Sequence, residues 1–272
     1  MAYIKTKQET QLILEGGKIL GKILAELGKM AQPGVSAFTI DQKAEELIKA
    51  AGGRPAFKGY KNHRHDPPFP STICACINEE LVHGIATKEK VLKEGDIFTI
   101  DIGMEYPVYA KASPGKKGYF TDTALTVPVG KIPEKVQKLL ADTQKSLSLA
   151  IKACKVKNTV ADIGKAVEDY ISPKGYGIVR DLVGHGVGHA VHEDPRVPNY
   201  YSPENKKWVL EEGVVIAIEP MITLGTHEIM TANDGWSIST VDNSLCAHFE
   251  HTIIITKKGP VIATLRPGEK KL

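Results

Sequence analysis

Long apolar runs, a strong charge imbalance and paired cysteine motifs are all absent from this sequence of 272 residues. No run of about 18 apolar residues occurs, so no transmembrane helix is predicted. The N-terminus, MAYIKTKQETQ, has no apolar core of the kind that a signal peptide needs. We therefore expect a cytoplasmic protein. The formal net charge of +3 is too small to indicate a nucleic-acid-binding protein.

The four cysteines do not have the spacing of a zinc ribbon. In a reducing compartment they are expected to be free thiols. Cys74 and Cys76 could form half of a metal site, but the chain has no second pair to complete it.

One stretch of the chain occurs twice. VLKEGDIFTID ends at Asp101, and VLEEGVVIAIE ends at Glu219. Each copy opens on a turn-like Val-Leu-x-Glu-Gly and continues in β-branched or aromatic residues, which favour a strand. Because side chains alternate along a strand, each carboxylate is expected to point away from the more apolar face.

A second strand-like run with an acid follows each copy. Asp122 lies in TDTALTV, and Glu250 lies in FEHTIII. We expect each half of the chain to supply two carboxylates from neighbouring strands, and the halves to face each other. Four carboxylates in a poorly solvated pocket cannot all stay ionised without protons or cations. The pattern therefore predicts a divalent-metal site.

Helix signals precede the strands in both halves. Apolar residues at helical spacing, together with capping residues and breakers, predict helices that begin near Thr6, Thr39, Pro133 and Thr159. The second half thus repeats the helix, helix, strand order of the first half. We predict an α+β fold, built as two layers of helix and sheet.

No Pro-, Gly- or Ser-rich linker separates the halves. We therefore predict one domain over residues 1–272, with pseudo-repeat halves of about 1–130 and 131–272. The segment 103–120 is long for a hairpin loop and is predicted to be an insertion.

The most specific stretch is Gly184-His185-Gly-Val-Gly-His189. A histidine between two glycines can be a turn residue, or a ligand carried by backbone with unusual dihedral angles. A phosphate-binding loop is the weaker interpretation, because the stretch lacks the Lys-Ser/Thr of a P-loop. Placed beside the acids, the histidine completes a set of metal-ligand candidates: Asp101, Asp122, His185, Glu219 and Glu250. This oxygen-rich set suits Mn(II), Fe(II) or Co(II) better than a structural zinc, and its size matches two ions.

Two further histidines, His83 and His192, precede the ligand strands of their respective halves. Each could be structural, but their matching places favour a role in orienting a substrate and in donating to a developing oxyanion. Trp236, in Asp-Gly-Trp, could be a core aromatic or the wall of a pocket.

Seven motifs resemble the signatures of type I methionine aminopeptidases, the bacterial-type members of metallopeptidase family M24. In chain order they are NEELVHGI from Asn78, DIG from Asp101, TDTA from Thr121, GHGVGHAVHEDP from Gly184, IEPM from Ile218, DGW from Asp234 and EHT from Glu250. The resemblance implies a pita-bread fold, in which two pseudo-twofold halves combine a curved antiparallel sheet with outer helices. It also implies a hydrolase that removes the initiator methionine from nascent proteins whose second residue is small.

The resemblance assigns a role to each candidate ligand. Asp101 would bind one metal ion, His185 and Glu219 would bind the other, and Asp122 and Glu250 would bridge the two. We expect a metal-bridging water to attack the first peptide bond, and Glu219 to pass its proton to the leaving amine.

The resemblance also assigns substrate contacts. His192 would hold the carbonyl oxygen, and His83 would contact the scissile amide. Phe69, Cys74 and Trp236 would line the methionine pocket.

Two positions depart from the family pattern. Asp66 and Val191 stand where the family commonly has aromatic pocket residues, so the pocket is expected to be wider or partly rebuilt. The 103–120 loop is also longer than the hairpin that is usual in the family.

Two alternative functions stay open on the sequence alone. One is a proline-specific aminopeptidase or prolidase of the same fold. The other is a pita-bread protein that has lost catalysis and binds ribosomes or RNA, although all five ligand candidates are present.

The expected partners are the N-termini of nascent chains, bound by a monomer. Lys111, Lys116 and Lys117 in the loop could contact the ribosome, or the loop could be a solvated tip. No membrane partner and no specific nucleic acid are expected.

Overall fold

The computed structural model describes residues 3–61, 67–108 and 117–270. Within these ranges the α-helices are α1 (Lys7–Met30), α2 (Ala37–Ala50), α3 (Glu134–Ala153) and α4 (Val160–Ile171), with short 3₁₀ helices at Ser172–Lys174 and Pro203–Lys207. No helix in the described ranges is long and apolar enough to cross a membrane.

The strands of the described ranges all pair antiparallel and fall into four sheets. In chain order they are β1 (Arg54–Pro55), β2 (Ile73–Ile77), β3 (Glu80–Val82), β4 (Ile97–Tyr106), β5 (Tyr119–Pro128), β6 (Gly177–Ile178), β7 (Gly184–Gly186), β8 (Glu193–Val197), β9 (Val215–Ile218), β10 (Met221–Thr223), β11 (Ile229–Thr231), β12 (Ile238–Thr240), β13 (Cys246–His248), β14 (His251–Thr256) and β15 (Gly259–Ile262). The two sheets that matter most for the site are formed by β1, β2, β4 and β5 and by β7, β8, β9, β14 and β15.

Three of the four helices begin where the sequence predicts. At α1 the Thr6 side chain accepts from the Glu9 amide, and the Glu9 carboxylate accepts from the Thr6 amide, which is the predicted capping box. Thr159 and Asp162 form the same box at α4, and α3 starts directly after Pro133. These starts are set by residues only three apart in the chain.

The predicted start of α2 at Thr39 is wrong. The helix begins at Ala37, and its N-cap is Ser36, whose hydroxyl accepts from the Thr39 amide. Ser36 satisfies a donor of the first turn, so the helix starts earlier than the Thr39 pattern indicated.

The helices cover one face of each main sheet. Phe98, Ile100 and Ile102 of β4 are fully buried in a cluster with leucines of α1, such as Leu24. Ile216 and its neighbours of β9 are buried in the same way against α3 and α4. Each such side chain contributes about 1.5–3 kcal/mol by its burial. The opposite face of β4 carries Asp101, whereas that of β9 carries Val215 and Ala217, which are buried in a smaller apolar cluster with Ile13 before the chain reaches Glu219.

The two halves meet where β5 faces β14. The Asp122 amide donates to the Thr252 hydroxyl at 2.9 Å, and that hydroxyl donates to the Asp122 carbonyl at 2.8 Å. The Thr123 hydroxyl donates to the Glu250 carbonyl at 2.8 Å, and the Glu250 amide donates to Ala124 at 3.0 Å. These bonds hold two of the acids side by side, although the acids come from different halves of the chain.

The predicted loop insertion at 103–120 is partly strand. β4 continues to Tyr106 and β5 begins at Tyr119, with Gly103 paired to Asp122 and Tyr106 paired to Tyr119. The pairing extends because Met104 and its neighbours remain buried against the helical layer. The rest of the predicted insertion includes residues 109–116, which lie outside the described ranges. The division into halves of 1–130 and 131–272 stays a prediction.

Candidate metal centre

The four predicted acids lie at matching places in the two main sheets. Asp101 of β4 and Asp122 of β5 are on adjacent antiparallel strands, where Asp101 pairs with Ala124, so the two acids share a face. Glu219 follows β9 and Glu250 precedes β14, and these two strands are also adjacent. The repeat therefore brings one pair of carboxylates from each half to a common place.

All four carboxylates are withdrawn from solvent. The exposed fractions are 8% for Asp101, 4% for Asp122, 9% for Glu219 and 2% for Glu250. One oxygen each of Asp101, Asp122 and Glu250 has no hydrogen-bond partner anywhere in the described ranges. A buried, unpaired carboxylate costs several kcal/mol. These oxygens are suited to a ligand that carries positive charge.

Burial shifts the four carboxylates towards their protonated forms when no cation is bound. Burial raises the pKa of Asp101 to about 7, although Asp122 and Cys74 oppose the shift. Burial also raises the pKa values of Asp122, Glu219 and Glu250 well above their ordinary values, and the neighbouring carboxylates add to this effect. A bound divalent cation would reverse the balance and favour the ionised forms.

His185 faces the acids with an unprotonated ring nitrogen. Its Nδ1–H donates to the Gly186 carbonyl at 2.9 Å, which leaves Nε2 with a free lone pair. Nε2 lies 3.6 Å from Glu219 Oε1 and 3.8 Å from Asp122 Oδ2. Burial and, to a smaller extent, the nearby His192 lower the pKa of His185 to about 3, which favours the neutral ring. A neutral imidazole is the form that binds a metal.

Glycine is required on both sides of His185 for a different reason from the one expected. Gly184 and Gly186 do not have positive φ angles. A Cβ on Gly184 would collide with the Ala217 carbonyl of β9, and a Cβ on Gly186 would collide with the Asp194 carbonyl of β8. Close approach of the neighbouring strands therefore requires glycine here, and unusual dihedral angles do not.

The candidate ligand atoms fall into groups that fit divalent cations. Atoms of Asp101, Asp122 and Glu250 lie within 4.8 Å of one another, as do atoms of His185, Glu219 and Glu250. The two groups share Glu250, which suits a bridging residue. His192 enters a third group, with Asp122 and His185, although the sequence analysis treats it as a substrate contact.

The two predicted substrate histidines line the same cavity. His192 Nδ1 lies 3.1 Å from the Tyr60 hydroxyl, and its ring centroid is 4.5 Å from that of His185. The His83 ring lies edge-on to Trp236 at 6.3 Å. Burial lowers the pKa of His83 to about 4. Both rings line the cavity that also contains the carboxylates.

An apolar wall lies beside these polar groups. Phe69, Cys74 and Trp236 are buried in one cluster together with Phe57 and Val191. All but Val191 line the cavity of about 510 Å³ that also contains the acids and histidines. The structure thus brings together the three pocket residues named from the sequence. Asp66 lies outside the described ranges.

Several residues at the site were missed by the sequence analysis. Tyr60 contacts His192, and the Asn199 amide donates to the Glu219 carbonyl at 2.9 Å. Arg266 donates to the Glu250 carbonyl, and His248 lies 3.6 Å from Glu219. His248 could have been found, because it precedes Glu250 by two residues and side chains two apart on an extended chain share a face. The other three contacts leave no local signal in the sequence.

Comparison with known proteins identifies relatives over nearly the whole chain. The sequence model of metallopeptidase family M24 matches residues 11–257. A methionine aminopeptidase of Clostridium acetobutylicum is 40% identical over 265 residues, which cover 97% of this chain and 99% of the relative.

Solved structures agree with the sequence relatives. The crystal structure of methionine aminopeptidase from Thermotoga maritima has a TM-score of 0.87 and 39% identity, with 96% of this chain and 98% of that chain covered. The prolidase of Pyrococcus horikoshii is more distant, with a TM-score of 0.75 and 26% identity, and this chain covers 65% of its length.

Proposed function

The chain belongs to metallopeptidase family M24, with the methionine aminopeptidases and their pita-bread fold, and we propose that it removes the initiator methionine from nascent proteins whose second residue is small. The observation that carries the proposal is the convergence of Asp101, Asp122, His185, Glu219 and Glu250, with buried oxygens that lack partners in the described ranges. Membership in a metallopeptidase family implies the use of a divalent metal.

We assign the ligands as follows. Asp101 would hold one ion, His185 and Glu219 would hold the other, and Asp122 and Glu250 would be shared by both. Two observations support this division: Glu250 belongs to the group of Asp101 and to that of His185, and Asp122 lies with Asp101 in one group and with His185 in another. The ligand chemistry suits Mn(II), Fe(II) or Co(II). When bound, such ions polarise a carbonyl and lower the pKa of water.

Residues of the chain then move the proton and hold the substrate. Glu219 accepts a proton from the attacking water and passes it to the leaving amine. His192 donates from Nε2 to the substrate carbonyl oxygen, because we assign the Tyr60 hydroxyl as the donor to Nδ1. His83, which lines the same cavity, contacts the scissile amide.

The apolar wall selects the side chain of the first residue of the substrate. Phe69, Cys74 and Trp236 form a buried surface of the size and polarity that suits a methionine side chain. The free α-amino group lies toward Asp101, which makes the enzyme an exopeptidase.

The rival functions have less support. A proline-specific enzyme is related by fold, but the Pyrococcus horikoshii prolidase is less similar and this chain covers only 65% of it. A binding module without catalysis would be expected to lose ligands, whereas all five candidates are present and converge.

The wider setting is also part of the proposal. We place the enzyme in the cytoplasm as a monomer that meets nascent chains. Contact with the ribosome through Lys111, Lys116 and Lys117 would appear as salt-sensitive cosedimentation that is lost when the three lysines are neutralised. Of these residues only Lys117 lies within the described ranges.

Release of free methionine tests the function. Metal-stripped enzyme is titrated with Mn(II) under reducing conditions, with Met-Ala-Ser, Met-Leu-Ser and Ala-Pro-Ala as substrates. Metal-dependent cleavage of Met-Ala-Ser alone is expected. Cleavage of Ala-Pro-Ala alone would indicate a proline-specific enzyme. The titration is repeated with Fe(II) and Co(II), and no cleavage with any of the three metals would favour the binding module.

A further inference from the structure

His248 is a buried imidazole close to the proposed metal ligands. Its exposed fraction is 1%, and neither ring nitrogen has a hydrogen-bond partner in the described ranges. Most buried polar groups in proteins are hydrogen-bonded, and an unpaired one costs about 1–3 kcal/mol. Neither the fold nor the proposed mechanism has so far explained this residue.

The backbone of His248 is held on two sides. In β13 it pairs with Met221 of β10. Its amide donates to the Thr126 hydroxyl at 2.9 Å, and the same hydroxyl lies 2.8 Å from its carbonyl oxygen. Strands β10 and β5 therefore fix the position of the ring.

That place is next to Glu219. His248 Nε2 lies 3.6 Å from Glu219 Oε2, while His185 Nε2 lies 3.6 Å from the other oxygen, Oε1. The carboxylate is thus flanked by two imidazoles, one at each oxygen. Both distances exceed the usual N–H···O range of about 2.7–3.2 Å by only a few tenths of an ångström.

His248 is not placed as a ligand itself. None of the groups of candidate ligand atoms in the described ranges includes it. An imidazole that is not protonated carries one N–H donor and one acceptor nitrogen. A neutral donor can orient a carboxylate without adding positive charge that would repel a cation.

We propose that His248 is a positioning residue for Glu219, whose Nε2–H donates to Oε2 and keeps Oε1 turned toward His185. The inference rests on the proposed role of Glu219 as a ligand and proton carrier. Partners that hold a ligand in one orientation commonly affect metal affinity by about 10–100-fold when removed.

The experiment compares two substitutions at this site. His248→Gln keeps an N–H donor at a similar reach, and His248→Leu keeps apolar bulk without a donor. His227→Gln is the matched control, because His227 is exposed. Metal affinity is measured by calorimetric titration of metal-stripped enzyme with Mn(II), and ligand geometry by the visible absorption of Co(II) added to the same protein.

The expected result separates a donor from a packing residue. His248→Leu should bind the Glu219-dependent metal about 10–100-fold more weakly, alter the Co(II) spectrum and lower kcat for Met-Ala-Ser more than it changes KM. His248→Gln should recover most of the affinity and the spectrum, and His227→Gln should match wild type. Thermal unfolding checks that each variant folds, and His248→Met replaces His248→Leu if the latter does not.

Two outcomes would overturn the proposal. Wild-type affinity and an unchanged spectrum in His248→Leu would make the residue a packing group only. Equal loss in His248→Gln and His248→Leu would mean that the imidazole itself is required, which is the behaviour of a ligand. The Mn(II) affinity and the Co(II) spectrum do not depend on peptide cleavage. A wild-type enzyme that binds metal but does not cleave Met-Ala-Ser would therefore refute the proposed substrate, and the comparison of the His248 variants would still test the role of this residue.

Discussion

Arg266 is expected to be the most important single buried charge for stability near the site. Its exposed fraction is 4%, and its Nη1 donates to the Thr123 hydroxyl at 3.1 Å and to the Ala124 carbonyl at 3.0 Å. The same nitrogen reaches the Glu250 carbonyl at 3.4 Å. The guanidinium therefore ties β5 to the residue that precedes β14, and so joins the segments that carry Asp122 and Glu250.

The charge of Arg266 is balanced by Glu269. Arg266 Nε donates to Glu269 Oε1 at 2.8 Å, and Nη2 lies 3.1 Å from His251 Nε2. Arg266→Leu would leave the Glu269 carboxylate and two strand carbonyls without these donors. Breaking a buried ion pair by removing one partner costs about 3–5 kcal/mol. With an unfolding entropy of about 2.1 cal/mol/K per residue, this corresponds to a fall in Tm of about 5–9 °C.

Scanning calorimetry of metal-stripped protein measures this change. Arg54→Leu is the matched control, because Arg54 pairs with Glu105 but 64% of its side chain is exposed. An exposed pair contributes at most about 1 kcal/mol, so Tm should change by no more than about 2 °C. Arg266→Leu with Glu269→Leu should recover part of the loss, because no unpaired charge then stays buried. A fall in Tm for Arg266→Leu no larger than that of the control would refute the reasoning.

Three further predictions concern the metal centre. Asp101→Asn or Glu250→Gln should lower kcat/KM for Met-Ala-Ser by at least about 100-fold at stoichiometric Mn(II), because each removes a charged ligand; full activity in either variant would contradict the ligand assignment. Gly186→Ala should weaken Mn(II) binding in calorimetry, because the added Cβ collides with the Asp194 carbonyl and displaces His185. Gly28→Ala is the control: its Cβ contacts only side-chain atoms of Leu125 and Val127, so this variant should bind Mn(II) like wild type. The Tm of metal-stripped protein should fall as pH rises from about 4 to 7: burial raises the pKa of Asp101 from 3.8 to about 7, so over this range the folded state holds a proton that the unfolded state has released. Calorimetry at pH 5, 6 and 7 checks the slope, which bound Mn(II) should reduce, and a Tm that rises with pH in stripped protein would contradict it.

The sequence predicts the structural context of some residues better than that of others. Asp101 lies in the predicted strand with the predicted orientation, and Glu219 follows its strand at the matching place. The predicted start of α2 at Thr39 is too late, because Ser36 caps the helix with a hydroxyl that accepts from the Thr39 amide. The roles assigned to His83 and His192 stay predictions, although both rings line the cavity.

Features that depend on near neighbours in the chain follow from the sequence alone. Alternation along the two repeated strands turned Asp101 and Glu219 away from the apolar faces, and the capping box at Thr6 started α1. These features follow from backbone geometry over a few residues, so a pattern of residue types is enough to predict them.

How the acids are paired, how far they are buried and which residues contact them depend on the tertiary structure. Arg266 reaches Thr123 across 143 residues of chain, and Thr252 bonds Asp122 across 130. His248 meets Glu219 only because β13 is held between β10 and β5. Burial, which raises the pKa values of the acids, and the contacts that hold them depend on which distant strands meet, and local spacing does not encode that choice.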